Sequence, residues 1–107
     1  MENVKDYELD DLDVAIILAI GKKWNSNRKT QKIALEISKL LGLKIECIDS
    51  YCEDIVERLN SGSRMPFWVK MNYRYMLTKL GRIAYDFLVQ KLKEKKREDI
   101  LKILNLA

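Results

Sequence analysis

At 107 residues, with 48% hydrophobic and 34% charged side chains, the chain is long enough for one domain with its own core and too apolar to be disordered. It has no histidine and only two cysteines, which removes the commonest acid–base catalyst and metal ligand, so the expectation is a non-enzyme without metal or cofactor. The net charge of +4 is uneven: residues 1–20 sum to −5, residues 21–60 to +2 and residues 61–107 to +7, which gathers positive potential in the C-terminal half and favours a polyanionic partner there.

Residues 1–10 read as an acidic leader, unlike the basic start of a signal peptide. The longest apolar run, Val14–Ile20, is far shorter than the ~20 residues a membrane span needs, so a soluble cytoplasmic protein is expected. A first helix is predicted over Asp11–Trp24, capped by Asp10 or Asp11, with Trp24 as a core anchor at its end. Its centre is apolar on every side and must be covered on more than one face.

Residues 25–29 form a polar connection, and Thr30 is the expected N-cap of a second helix over Gln31–Leu41. Ile33, Ala34, Ile37, Leu40 and Leu41 recur at helical spacing, and Gly42 supplies the left-handed residue that stops the helix. A third helix is predicted over Ile45–Asn60, because Ile48, Tyr51, Ile55 and Leu59 fall three, four and four apart. Cys47 and Cys52 then point to different faces of that helix and stay free thiols in a reducing compartment, a bridge across a dimer being the alternative.

The rhythm changes at Met65. Met65–Met71 and Tyr73–Leu77 read as a two-stranded ribbon turning at Asn72, with Phe67 in the core and Trp68, Tyr73 and Tyr75 as cross-strand partners. Thr78 caps a last helix over Lys79–Leu104, interrupted in its apolar pattern by the charged run 91–97, a solvated face. The scarcity of glycine (4) and proline (1) agrees with a mainly α fold bearing a small β-hairpin. The abundance of Lys and Ile beside two Gln gives a thermophile-like composition.

Two stretches carry a resemblance. Ala34-Leu35-Glu36-Ile37-Ser38-Lys39-Leu40-Leu41-Gly42-Leu43 has the small residue, turn glycine and corner leucine of a helix-turn-helix. Leu77-Thr78-Lys79-Leu80-Gly81 has the Leu-Thr-x-x-Gly pattern that closes a wing and opens the following helix. Over residues 11–90 the chain resembles the winged helix-turn-helix domains of prokaryotic and archaeal transcription regulators. The resemblance implies double-stranded DNA as partner and residues 45–60 as the groove-reading helix, with Glu46, Cys47, Asp49, Ser50 and Glu53 outward. Three of those five are acidic, which departs from a base-reading face.

The cations expected to hold DNA lie elsewhere. Arg28, Lys29, Thr30, Gln31 and Lys32 sit at the start of the second helix, where backbone N–H groups and cations favour phosphate. Arg64, Lys70, Arg74 and Lys79 lie on or beside the ribbon, and Lys44 and Ser50 complete the expected set. Residues 91–107 are read as an extension in which Ile100, Ile103 and Leu104, with Ile16 and Ile20 of the first helix, form a homodimer seam. Alternatives are a protein-interaction module docking through its acidic third helix, or a low-specificity architectural DNA binder. The sequence names no small-molecule effector.

Overall fold

The computed structural model describes residues 8–49, 51–61 and 66–107. The expected sites Ser50 and Arg64 lie outside them, as does most of the leader. Among the described residues the fold is mainly helical, with a small antiparallel sheet.

Helix α1 (Asp11–Ile20) opens with a capping box: the Asp10 carboxylate accepts from the Asp13 backbone N–H and the Asp13 carboxylate from that of Asp10. It ends at Ile20, four residues before the expected Trp24, because φ turns to +75° at Gly21. The run Ala15–Ile20 is buried on all sides, as its composition requires, and the chain itself covers it.

Strand β1 (Asn25–Ser26) stands where the sequence predicts only a polar connection. Asn25 ties it to α1 by donating from Nδ2 to the Ala19 carbonyl (3.0 Å). It hands the chain directly to α2 (Asn27–Leu40), capped by Ser26, whose Oγ accepts from the Lys29 N–H at 3.2 Å. The cap is therefore Ser26 and not Thr30, which is buried inside the helix. At the other end Gly42 takes φ +88°, with Gly42 N–H donating to the Lys39 carbonyl and Leu43 N–H to that of Ser38. That six-to-one, five-to-two pair is a Schellman stop, placed where the sequence put it.

The third helix departs most from expectation. Helix α3 covers only Glu53–Leu59, and Cys47 and Cys52 are joined by a disulfide with Cα atoms 4.2 Å apart. Ile48 and Tyr51 exchange both backbone hydrogen bonds at 2.9 Å, and Asp49 adopts φ +57°. A tight turn thus replaces the first half of the predicted helix. Residues five apart in a helix are separated by about 7.5 Å along its axis, so the bridge and the helix exclude one another.

Strands β2 (Trp68–Met71) and β3 (Arg74–Leu77) form the expected hairpin, with Met71 opposite Arg74 and Trp68 opposite Leu77. Asn72 supplies the turn with φ +58°. Strand β1 joins the far edge of β3, giving the order β1-β3-β2. Trp68 and Tyr75 are core residues rather than surface cross-strand partners, and Trp68 Nε1 donates to the Leu59 carbonyl at the end of α3.

The Leu-Thr-x-x-Gly stretch has a steric reason. Thr78 Oγ1 accepts from the Gly81 N–H at 3.1 Å and caps α4 (Lys79–Glu94). Gly81 lies against the Phe67 backbone so closely that a Cβ would stand 2.0 Å from its carbonyl oxygen. Only glycine lets α4 start there.

The single last helix is in fact two. Lys96 turns to φ +54°, and α5 (Glu98–Ile103) folds back. Arg97 holds the corner: its Nη2 donates to the Leu40 carbonyl at the end of α2 (2.9 Å), and it pairs with Asp99 (3.1 Å). Ile100 and Leu101 are thereby buried with Leu18 and Ile37, so residues 91–107 share the main domain's core. Ile16, Ile20 and Ile100, expected at a dimer seam, are covered by their own chain; Ile103 and Leu104 are half-buried against the same cluster.

Candidate nucleic-acid interface

The sheet brings two cation-bearing segments together. Ser26 pairs with Arg74, and the Asn27 N–H donates to the Tyr73 carbonyl at 2.8 Å. The first turn of α2, with Arg28 and Lys29, is thereby fastened to the tip of the β2–β3 hairpin, with Lys70 and Arg74. Lys70 is opposite Tyr75 in the register, so Lys70 and Arg74 project to opposite faces of the ribbon near its tip. All four are exposed. Among the described residues, none of Arg28, Lys29, Lys32, Lys70 and Arg74 makes an ion pair.

The Arg74 guanidinium stacks 4.2 Å from the ring centre of Trp24, which is 49% exposed and not the core anchor expected. Stacking fixes the guanidinium plane while leaving its edge N–H groups free for a phosphate. Lys70 Nζ lies 5.9 Å over the Tyr75 ring. Between the hairpin's two cations Tyr73 is 83% exposed at the tip. Trp24, Asn27 and Tyr73 are the members of this surface that sequence reasoning did not select for it. The signal was there for Tyr73, which follows the turn residue; Trp24 required β1, which two residues do not announce.

At the start of α2, Arg28, Lys29, Gln31 and Lys32 also line a cleft of about 720 Å³ with Ser26, Leu35, Asp49 and Cys52. Gln31 Nε2 donates to Asn27 Oδ1 at 2.8 Å, which steadies the first turn. Thr30 is buried, so its hydroxyl is not offered to a ligand at this surface.

Two expected cations stand apart. Lys79 follows Thr78, at the end of β3 away from the tip. Lys44 lines a different groove, of about 690 Å³, with Asp10, Asp11, Asp54, Glu57 and Arg58. There Arg58 Nη1 binds Asp10 at 2.7 Å and the fully buried Asp13 at 2.8 Å, joining α3 to the start of α1. Burial pushes the Asp13 carboxyl above its ordinary value, which the Arg58 hydrogen bond offsets only in part. Burial pushes Asp10 the same way, but hydrogen bonds from Arg58 and the Asp13 backbone outweigh it and leave this carboxyl below its ordinary value.

The expected reading face does not exist as a helix. Cys47 and Asp49 belong to the disulfide-closed segment, Glu46 precedes it, and Glu53 with Asp54 opens α3. No helix is long and apolar enough to cross a membrane among the described residues. Comparison with known proteins gives no match to a family model, a curated protein or a solved structure.

Proposed function

We propose that the chain is a winged helix-turn-helix domain that binds double-stranded DNA, gripping the phosphate backbone with the start of α2 and the hairpin tip. The observation that carries this is the pair of links, Ser26 with Arg74 and Asn27 N–H to the Tyr73 carbonyl, which gathers Arg28, Lys29, Lys70 and Arg74, none of them in an ion pair among the described residues. The element order and the β1-β3-β2 sheet are compatible with a winged-helix layout. The short α3 has an acidic first turn, so contacts to phosphate dominate and low-specificity binding is the form favoured. Transcription regulation follows if the domain also selects a site.

The test is a titration of random duplex DNA at several salt concentrations. Binding that weakens with salt by a log–log slope of about −3 to −4 is expected for four phosphate contacts. A defined footprint on selected sequences points to a regulator; uniform coverage points to an architectural role. The second reading, a protein-interaction module, is favoured by the groove of Asp10, Asp11, Asp54 and Glu57, whose carboxylates suit a basic partner. Absence of duplex binding at low salt supports that module and overturns the DNA proposal.

A further inference from the structure

We propose that Cys47–Cys52 is a redox latch on α3: oxidised, it holds a tight turn; reduced by a dithiol, it releases residues 45–52 to extend α3 towards its N-terminus. The proposal rests on the fold and is independent of DNA binding.

Three observations carry it. First, the two backbone states exclude each other. The Cα atoms of Cys47 and Cys52 are 4.2 Å apart in the bridge, whereas a helix separates residues five apart by about 7.5 Å along its axis, beyond the reach of a disulfide. Second, the segment carries a helical apolar pattern that the turn leaves unused. Ile55 and Leu59 are buried in α3, while Ile48 and Tyr51 are 80% and 55% exposed. Continuing the helix backwards aligns those two with the buried stripe, three and four residues apart. Third, although Glu53 and Asp54 suit a first turn, the start at Glu53 has no side-chain cap. The N-cap position is Cys52, which makes no side-chain capping bond, and Asp49 holds the left-handed φ of +57° that helix formation would relieve.

The chemistry balances with a dithiol as reductant. One of its thiolates attacks a sulfur of the bridge, the S–S bond breaks, and a mixed disulfide forms. The second thiol of the reductant then displaces the remaining cysteine. Two electrons and two protons pass to Cys47 and Cys52, and the reductant becomes a disulfide. Cys47 is only half-buried, which leaves one sulfur-bearing residue within reach of solvent, while Cys52 is in the core.

The experiment compares the full chain oxidised and after treatment with dithiothreitol, by far-ultraviolet circular dichroism and residue-resolved amide exchange. Reduction is expected to add helical signal for about eight residues and to slow exchange at the amides of Asp49, Tyr51 and Cys52. The Cys47→Ser/Cys52→Ser variant should reproduce the reduced form without reductant. Asp49→Gly, which suits the turn and weakens the helix, should diminish the gain; Asp49→Ala should enlarge it. Should the double variant fail to fold, the reduced natural chain and the Asp49 pair still decide. Unchanged or reduced helicity in the dithiol-treated chain, with Asp49→Gly and Asp49→Ala alike, overturns the proposal and leaves the bridge as a staple of the turn.

Discussion

Two surfaces of the molecule use their cations in opposite ways. Around the start of α2 and the hairpin tip, Arg28, Lys29, Lys70 and Arg74 are exposed and make no ion pair among the described residues. On the surface built by α1 and α3, Arg58 is held between Asp10 and Asp13, and Lys44 lies in the same acidic groove. One surface has cations available to a polyanion. The other has spent its guanidinium on a buried carboxylate. Position therefore decides what a cation can do, and a total of +4 says nothing of it.

The contrast can be broken at its frame first. Gly81→Ala drives a methyl into the Phe67 backbone at the joint between hairpin and α4. A loss of about 3 kcal/mol or more is expected in urea unfolding, because backbone and not a flexible side chain must yield. A change below about 1 kcal/mol would mean that α4 does not start against Phe67.

Arg58→Met tests the second surface. It removes the Arg58 guanidinium from the buried Asp13 carboxylate and should cost about 3 kcal/mol at neutral pH. The sign with pH follows from Asp13. Its folded pKa already lies above the unfolded one, so its contribution is full below the unfolded value and is lost as pH rises through the folded value. Removing Arg58 raises that pKa further. The deficit of the variant should thus shrink as pH falls into the carboxylate range, near 4. Asp10 works in the opposite sense, its contribution present above its unfolded value and lost as pH falls. A deficit independent of pH would place the cost of the substitution in lost packing.

Asn72→Val examines the hairpin tip. A β-branched residue at φ +58° should destabilise the turn by about 1–2 kcal/mol and Asn72→Gly should not, as read by the melting temperature. The smallest effect sharpens the contrast from the other side: Lys44→Ala should leave duplex affinity within about twofold, since this lysine sits among carboxylates.

Much of this architecture was legible because local chemistry ruled it. Gly42 stops a helix wherever it must turn left-handed, Thr78 with Gly81 starts one, and the alternation through Trp68–Leu77 suits only a ribbon. The candidate cations could be picked as flanks of those elements. Their union could not, since it depends on the two-residue strand Asn25–Ser26 meeting a partner some fifty residues away. Ser26 outcompeted Thr30 as cap for the same reason: pairing with Arg74 fixes extended backbone at Ser26, and the helix begins at once. The third helix failed on a different ground. Ile48, Tyr51, Ile55 and Leu59 do follow helical spacing, but a covalent bond between Cys47 and Cys52 overrides periodicity. The last helix broke within 91–97, where no apolar side chain demands burial except Leu92, and where Arg97 finds the free Leu40 carbonyl of α2. That carbonyl is invisible until α2 is placed. The tail then covers its own core, which removes the reason the sequence offered for a partner at Ile16, Ile20 and Ile100.

The most direct measurement is the salt dependence of duplex binding by two variants of opposite design. The first replaces Arg28, Lys29, Lys70 and Arg74 by Ala; the second replaces Lys44 and Lys79. The first should lose about 0.9 of log–log slope for each contact removed and at least a hundredfold in affinity at low salt, while the second keeps the natural slope. Equal losses in both, or an unchanged slope in the first, would contradict a clamp built from α2 and the hairpin tip.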